Sequence, residues 1–188
     1  PGLKVALPST AADAKGLLAT AIRSEDPVLF LEHKALYRAA SARTPTPPED
    51  YTLPFGKARI AREGSDMTIV TYGMMTQKSL NVAEELEQEG VDVEVVDLRT
   101  IVPLDSETIL ESVRKTNRAL VVYEDHEFIG FGAELSAQIA DDAFTYLDAP
   151  IRRVAGEFTP IPFAHSLERS VLPSDEGILE AARDLAAF

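Results

Sequence analysis

Residues 67–90, MTIVTYGMMTQKSLNVAEELEQEG, decide the fold. Residues 67–72 form a short apolar and β-branched run, the pattern of a strand buried on both faces. Met75, Val82, Ala83 and Leu86 follow at offsets 0, 7, 8 and 11, which gathers them on one face of a helix that Gly90 ends. The same alternation continues downstream. Residues 91–96 read as a second strand, and Asp105 caps a helix burying Ile109, Leu110 and Val113. Residues 119–123 form a third strand; Gly130 and Gly132 then open a helix with Leu135, Ile139 and Ala143 four apart. Residues 151–154 make a short fourth strand, and a last helix after Pro173 and Ser174 buries Ile178, Leu179, Ala182, Leu185 and Ala186. Repeated β-α units of this kind specify an α/β domain of three layers, α/β/α.

Upstream the pattern breaks. Residues 39–54 contain Thr44-Pro45-Thr46-Pro47-Pro48 and have no apolar periodicity, which predicts an extended, partly polyproline linker. Before it, residues 3–7 and 28–31 are short apolar runs flanking a helix, suited to a parallel pair joined by a crossover. Thr10 caps that helix, and Asp13, three residues on, is placed to return the bond. Three elements cannot close a core. This block therefore reads as the end of a domain begun further upstream, and Pro1 as a cut within a longer protein. The expected layout is a domain end at 1–38, a linker at 39–56 and an α/β domain at 57–188.

Composition narrows the function. The chain is 45% hydrophobic, which excludes general disorder, and holds no apolar run of the roughly 18 residues a membrane helix needs. Residues 1–10, PGLKVALPST, have no basic region and no cleavage site of a secretory signal, so a cytoplasmic location is expected. Cysteine is absent, which removes disulfides and thiolate chemistry. Through residue 38 there are five basic and four acidic residues; the other 13 basic and 27 acidic residues lie beyond, giving +1 and −14 of the net −13. Such a field disfavours nucleic acid and anionic lipid. It suits either a basic protein partner or a solvated surface.

Self-contained chemistry is hard to find. His33, His126 and His165 stand in three contexts without metal-ligand spacing. There is no G-x-S-x-G elbow, no Walker loop and no strand-linked G-x-G-x-x-G. The amides around Gly130-Phe131-Gly132 could hold a phosphate, but glycines that let a strand turn tightly into a helix are the better account. Glu124, Asp125, His126 and Glu127 follow the third strand, where open α/β sheets bind ligands; a plain surface loop is the alternative. Met74, Met75, Phe131 and Phe144 are expected in the core. Phe188, the final residue, is either frayed or an interface anchor.

The motifs together resemble a known family. Residues 1–10 with Asp13-Ala14-Lys15-Gly16-Leu17-Leu18, Asp26-Pro27-Val28 and Glu32-His33-Lys34 are similar to the β subunit of thiamine-diphosphate-dependent 2-oxo acid dehydrogenases acting on pyruvate or branched-chain acids. Val70-Thr71-Tyr72-Gly73-Met74, Asp97-Leu98-Arg99-Thr100 with Pro103-Leu104-Asp105, Gly130-Phe131-Gly132-Ala133-Glu134, Ala149-Pro150-Ile151, Thr159-Pro160, Pro162-Phe163 and Leu172-Pro173 continue the resemblance in order. It implies that 1–38 ends a pyrimidine-binding domain and 57–188 is a transketolase C-terminal-type domain.

The resemblance further implies an α2β2 heterotetramer, with thiamine diphosphate and magnesium held between the α subunit and the β subunit's pyrimidine domain. The activating glutamate lies upstream of Pro1, so no catalytic or cofactor-binding residue is expected here, and the chain alone is expected to be inactive. Its role would be assembly with an α subunit and a second β subunit, and docking to the peripheral binding domain of the dihydrolipoyl acyltransferase, with Phe188 in that contact. A structural potassium ion would take the carbonyls of Ala21 and Ile22 and the side chains of Ser24 and Asp26; Ser24 replaces the usual Asp. Ile129 stands where the family commonly has glycine. An acetoin dehydrogenase β subunit, or the corresponding region of a transketolase or deoxyxylulose-phosphate synthase, is the alternative.

Overall fold

The structure is a computed structural model and describes residues 2–188; the expectation attached to Pro1 lies outside them. Residues 67–71 are fully buried as strand β4 (Met67–Thr71), the centre of a five-stranded sheet. Its order is β3 (Arg59–Arg62), β5 (Val93–Asp97), β4, β7 (Ala119–His126), β8 (Arg152–Gly156). All neighbours run parallel except β3, which pairs antiparallel with β5.

Helices cover both faces, and the alternation of side chains along each strand decides which. Met67, Ile69, Val93, Val95, Leu120 and Val122 point to one side. There they meet α2 (Met74–Gln88), through Met75, Val82, Ala83 and Leu86, and α6 (Asp175–Ala186), through Ile178, Leu179, Ala182 and Leu185. Val70, Val96, Val121 and Tyr123 point the other way, onto α3 (Ser106–Thr116) and α4 (Phe131–Ala143). Strands so sandwiched have no wet face, so they carry continuous apolar runs rather than alternating ones. The expected three-layer α/β/α arrangement is present.

Local signals set the helix ends. The Asp105 side chain accepts the Thr108 amide, and the Ser174 hydroxyl accepts the Gly177 amide at 3.0 Å. Asn117 closes α3 at φ 61°, the left-handed conformation its short amide tolerates. Gly73, at φ 59°, provides the sharp turn from β4 into α2 that a β-carbon would strain.

The first block consists of β1 (Lys4–Ala6), α1 (Ala11–Ile22) and β2 (Val28–Phe30), followed by a 3-10 turn at Lys34–Arg38. β1 and β2 pair in parallel, as expected. Their sheet has a third member from beyond the linker: β6 (Thr100–Val102) runs antiparallel to β1, with Val5 opposite Val102 and Ala6 opposite Thr100. The blocks thus share a hydrogen-bonded ladder.

Several expectations are corrected. The strand expected from residue 91 starts at Val93, and β3, β6 and α5 (His165–Val171) were not foreseen. Residues 39–54 do lack helix and strand, but they are packed down: Lys15 Nζ donates to the carbonyls of Pro47 and Pro48, and Leu53 and Tyr51 cover Gly16. Phe144 is not core but 72% exposed, because α4 ends at Ala143 and the chain turns outward there.

Candidate functional site

In a doubly wound sheet, ligands enter where adjacent strands send their connections to opposite faces. Here that point lies between the carboxyl ends of β4 and β7: the chain leaves β4 toward α2 on one face and β7 toward α4 on the other. The crevice is filled by the chain's own first block. Leu7, Pro8, Leu31, Glu32 and His33 close over Tyr72, Gly73, Met74 and Glu124, leaving about 130 Å³. That is below the roughly 300–1,000 Å³ of ordinary small-molecule sites.

Glu124 and Asp125 belong to β7, which runs to His126, so the expected loop begins later than the sequence suggested. Glu124 turns to the first block: its Oε1 lies 3.2 Å and its Oε2 3.1 Å from His33 Nε2. The hydrogen bond to Glu124 holds the His33 pKa above the usual imidazole value, against the effect of burial. His126 turns away from the crevice. Its Nε2 lies 3.0 Å from the Thr159 carbonyl, and its ring meets Phe158 edge-on.

Beside the crevice sits a buried polar cluster that the sequence reasoning missed as a unit. The Ser9 hydroxyl donates to Asp97 at the end of β5, and Arg59 Nη2 reaches the same carboxylate at 3.0 Å. Burial pushes the Asp97 carboxyl upward, with Ser9 and Arg59 opposing. Arg59 Nη2 also stands 3.7 Å from Asp13, and Arg99 Nη1 3.3 Å from it. Arg99 further donates to the carbonyls of Lys57 and Ala58 at 2.8 and 3.1 Å, and Gln77 to that of Ser9 at 3.1 Å. Thr10 does cap α1, but Asp13 does not return to the Thr10 amide. It accepts the Thr10 hydroxyl at 2.5 Å and gives its other oxygen to Arg99, while the Ala11 amide goes to the Ala42 carbonyl. The available signal was Asp97 ending an apolar strand, since a charge there must find partners.

The remaining candidates divide. A β-carbon on Gly132 would fall 1.9 Å from the Tyr123 ring, and one on Gly130 2.0 Å from the His126 carbonyl oxygen. These glycines are there for close packing of strand, turn and helix. Ile129 has φ 65°, a left-handed conformation that a β-branched side chain resists, and is 81% exposed. Phe188 is 59% exposed and borders an apolar groove with Phe144, Leu147, Pro150 and Ile151.

Two of the four donors expected around an alkali ion, the Ser24 and Asp26 side chains, face a cation of the chain itself. Lys4 Nζ lies 2.9 Å from Ser24 Oγ and 2.9 Å from Asp26 Oδ2, and the Ala21 carbonyl accepts the Arg23 and Ser24 amides. Among the described residues no three His, Cys, Asp or Glu side chains are grouped to hold a metal ion, and no helix is long and apolar enough to cross a membrane.

The architecture is a mixed, three-layer α/β/α domain whose strand β6 shares a ladder with the short α/β block that precedes it. The chain belongs to the family of the transketolase C-terminal domain, whose model matches residues 56–178; residues 1–40 match the transketolase pyrimidine-binding domain. Over all 188 residues it is 50% identical to the pyruvate dehydrogenase E1 component subunit beta of Bacillus subtilis and 49% identical to that of Staphylococcus aureus. The chain spans 57% of the length of these relatives. A solved structure described as a split gene transketolase, inactive beta4 tetramer, superposes over the whole chain, and over 58% of its own, with TM-score 0.79 and 25% identity.

Proposed function

We propose that this chain is the C-terminal portion of the β subunit of a thiamine-diphosphate-dependent 2-oxo acid dehydrogenase, with pyruvate as substrate. The 50% identity to the Bacillus subtilis pyruvate dehydrogenase subunit, sustained from end to end, carries this reading. An acetoin dehydrogenase subunit would share the architecture. A transketolase or deoxyxylulose-phosphate synthase is disfavoured because the transketolase neighbour shares half that identity.

On this reading, thiamine diphosphate and magnesium bind where the absent part of the β subunit meets an α subunit, and supply the electron sink for decarboxylation. The 188 residues contribute no group to that chemistry. They hold the end of the pyrimidine-binding domain rigidly on the second domain through Ser9, Asp13, Arg59, Asp97 and Arg99. They offer surface to the α subunit, to a second β subunit and, at Phe188 and its apolar groove, to the basic peripheral binding domain of a dihydrolipoyl acyltransferase. The assembly would be cytoplasmic.

The test is a chimera. The N-terminal part of the Bacillus subtilis β subunit is joined to this chain and co-expressed with the Bacillus α subunit. Thiamine-dependent turnover is then measured as carbon dioxide release from pyruvate and from a branched-chain 2-oxo acid, and as acetaldehyde release from acetoin. Turnover is expected with pyruvate and not with this chain alone. An assembled chimera inactive on pyruvate would defeat the proposal.

A further inference from the structure

His33 is held at both ring nitrogens by groups on different blocks. Nδ1 accepts the Ala35 amide at 3.3 Å and so caps the 3-10 turn Lys34–Arg38. A nitrogen that accepts carries no proton, so in the neutral ring the proton sits on Nε2 and is donated to Glu124. The ring lies between two spaces. One is the crevice above β4 and β7; the other, about 270 Å³, is lined by Pro8, Thr10, Leu36, Tyr37 and Arg43 and roofed by the turn that His33 caps.

We propose that His33 is a proton-operated switch: one added proton exchanges its cap on Ala35 for an ion pair with Glu124, loosening the turn over the larger cavity. A second proton can only enter at Nδ1. That nitrogen then becomes a donor facing the Ala35 donor, and the cap is lost. The same proton turns the Nε2 contact with the Glu124 carboxylate into an ion pair, which strengthens it. The groups facing the ring favour this charge. Glu124 comes from β7, Glu168 acts from α5, and Glu32 precedes it in the chain, accepting from the Tyr37 hydroxyl at 2.9 Å. Lys34 on the turn and Arg43 across the cavity are the opposing cations.

The sign follows from the raised folded-state value. The Glu124 interaction is fully present below the unfolded histidine pKa and is lost as pH rises through the folded one. The cap runs the opposite way, present at high pH and absent at low. Acid therefore clamps His33 to the second block while it frees residues 34–38, and the transition lies above the ordinary imidazole value. Nothing in this depends on the enzymatic reading above.

The experiment is an NMR titration of the 188-residue chain from about pH 5 to 9, a range spanning the histidine transition. It follows the His33 ring and the Ala35 amide. Both should move with one midpoint, above that of a free imidazole, with a lower Ala35 protection factor on the acid side. Glu124→Gln should lower that midpoint. His33→Asn, which caps but does not titrate, should keep Ala35 protected throughout. An Ala35 amide that stays flat while the ring titrates, or that still titrates in His33→Asn, would overturn the switch, as would an unmoved midpoint in Glu124→Gln.

Discussion

Arg99 Nη1 stands 3.3 Å from Asp13 Oδ1, joining residues 86 apart in sequence across the junction of the two blocks, with side chains 10% and 4% exposed. A carboxylate this deep depends on its guanidinium partners, because an uncompensated buried charge costs several kcal/mol, and Arg99 stands closer to it than Arg59 does.

Arg99→Met should therefore destabilise the chain by about 3 kcal/mol, the usual cost of breaking a buried pair from one side. Urea unfolding would read it as a lower midpoint at unchanged slope. Replacing both partners, Asp13→Asn with Arg99→Met, should recover part of the loss. A double variant weaker than the sum of the two single ones would count against this pairing.

Ile129→Gly should stabilise the protein. It removes a β-branched side chain from φ 65°, a strain of about 1–3 kcal/mol, and gives back about 1 kcal/mol in unfolded-chain freedom. The expected net gain is about 1 kcal/mol, checked by denaturant midpoint. A loss would mean that the exposed isoleucine rests on something this strain does not account for.

Exchange of potassium for tetramethylammonium should leave the melting temperature unchanged, because Lys4 already sits between Ser24 and Asp26. Lys4→Met empties that position and should lower the melting temperature, with partial rescue by potassium if the carbonyls of Ala21 and Ile22 complete a site for a hard cation. Potassium dependence in the unaltered chain would show that the ammonium does not occupy the ion's place.

Deleting Phe188 should weaken binding of a basic peripheral binding domain by roughly tenfold or more, the range of an exposed aromatic anchor. The loss should fall on dissociation rather than association, since the acidic charge that sets the encounter rate is untouched. Calorimetry and surface kinetics on the same pair would decide it; equal affinities would remove Phe188 from the contact.

Much of the architecture was legible because it rests on local rules. A four-strand, four-helix alternation follows from apolar runs and helical offsets, and the buried faces of α2, α4 and α6 match the periodicity at Met75, Leu135 and Ile178. Partnership was not legible. β6 is only three residues long and β3 is an arginine-flanked edge, so neither carries a strand pattern strong enough to see alone. Asp13 reads locally as a helix-start residue, and only the fold brings Arg59 and Arg99 to it. His33 and Glu124 lie 91 residues apart, and nothing in either neighbourhood announces the other.

The ladder between β1 and β6 also changes what the proline-rich strap is for. Two bodies stitched by shared backbone bonds do not melt independently, whatever segment joins them in sequence. Heating should therefore give one calorimetric peak rather than two, and a protease that nicks the strap should leave both pieces travelling together.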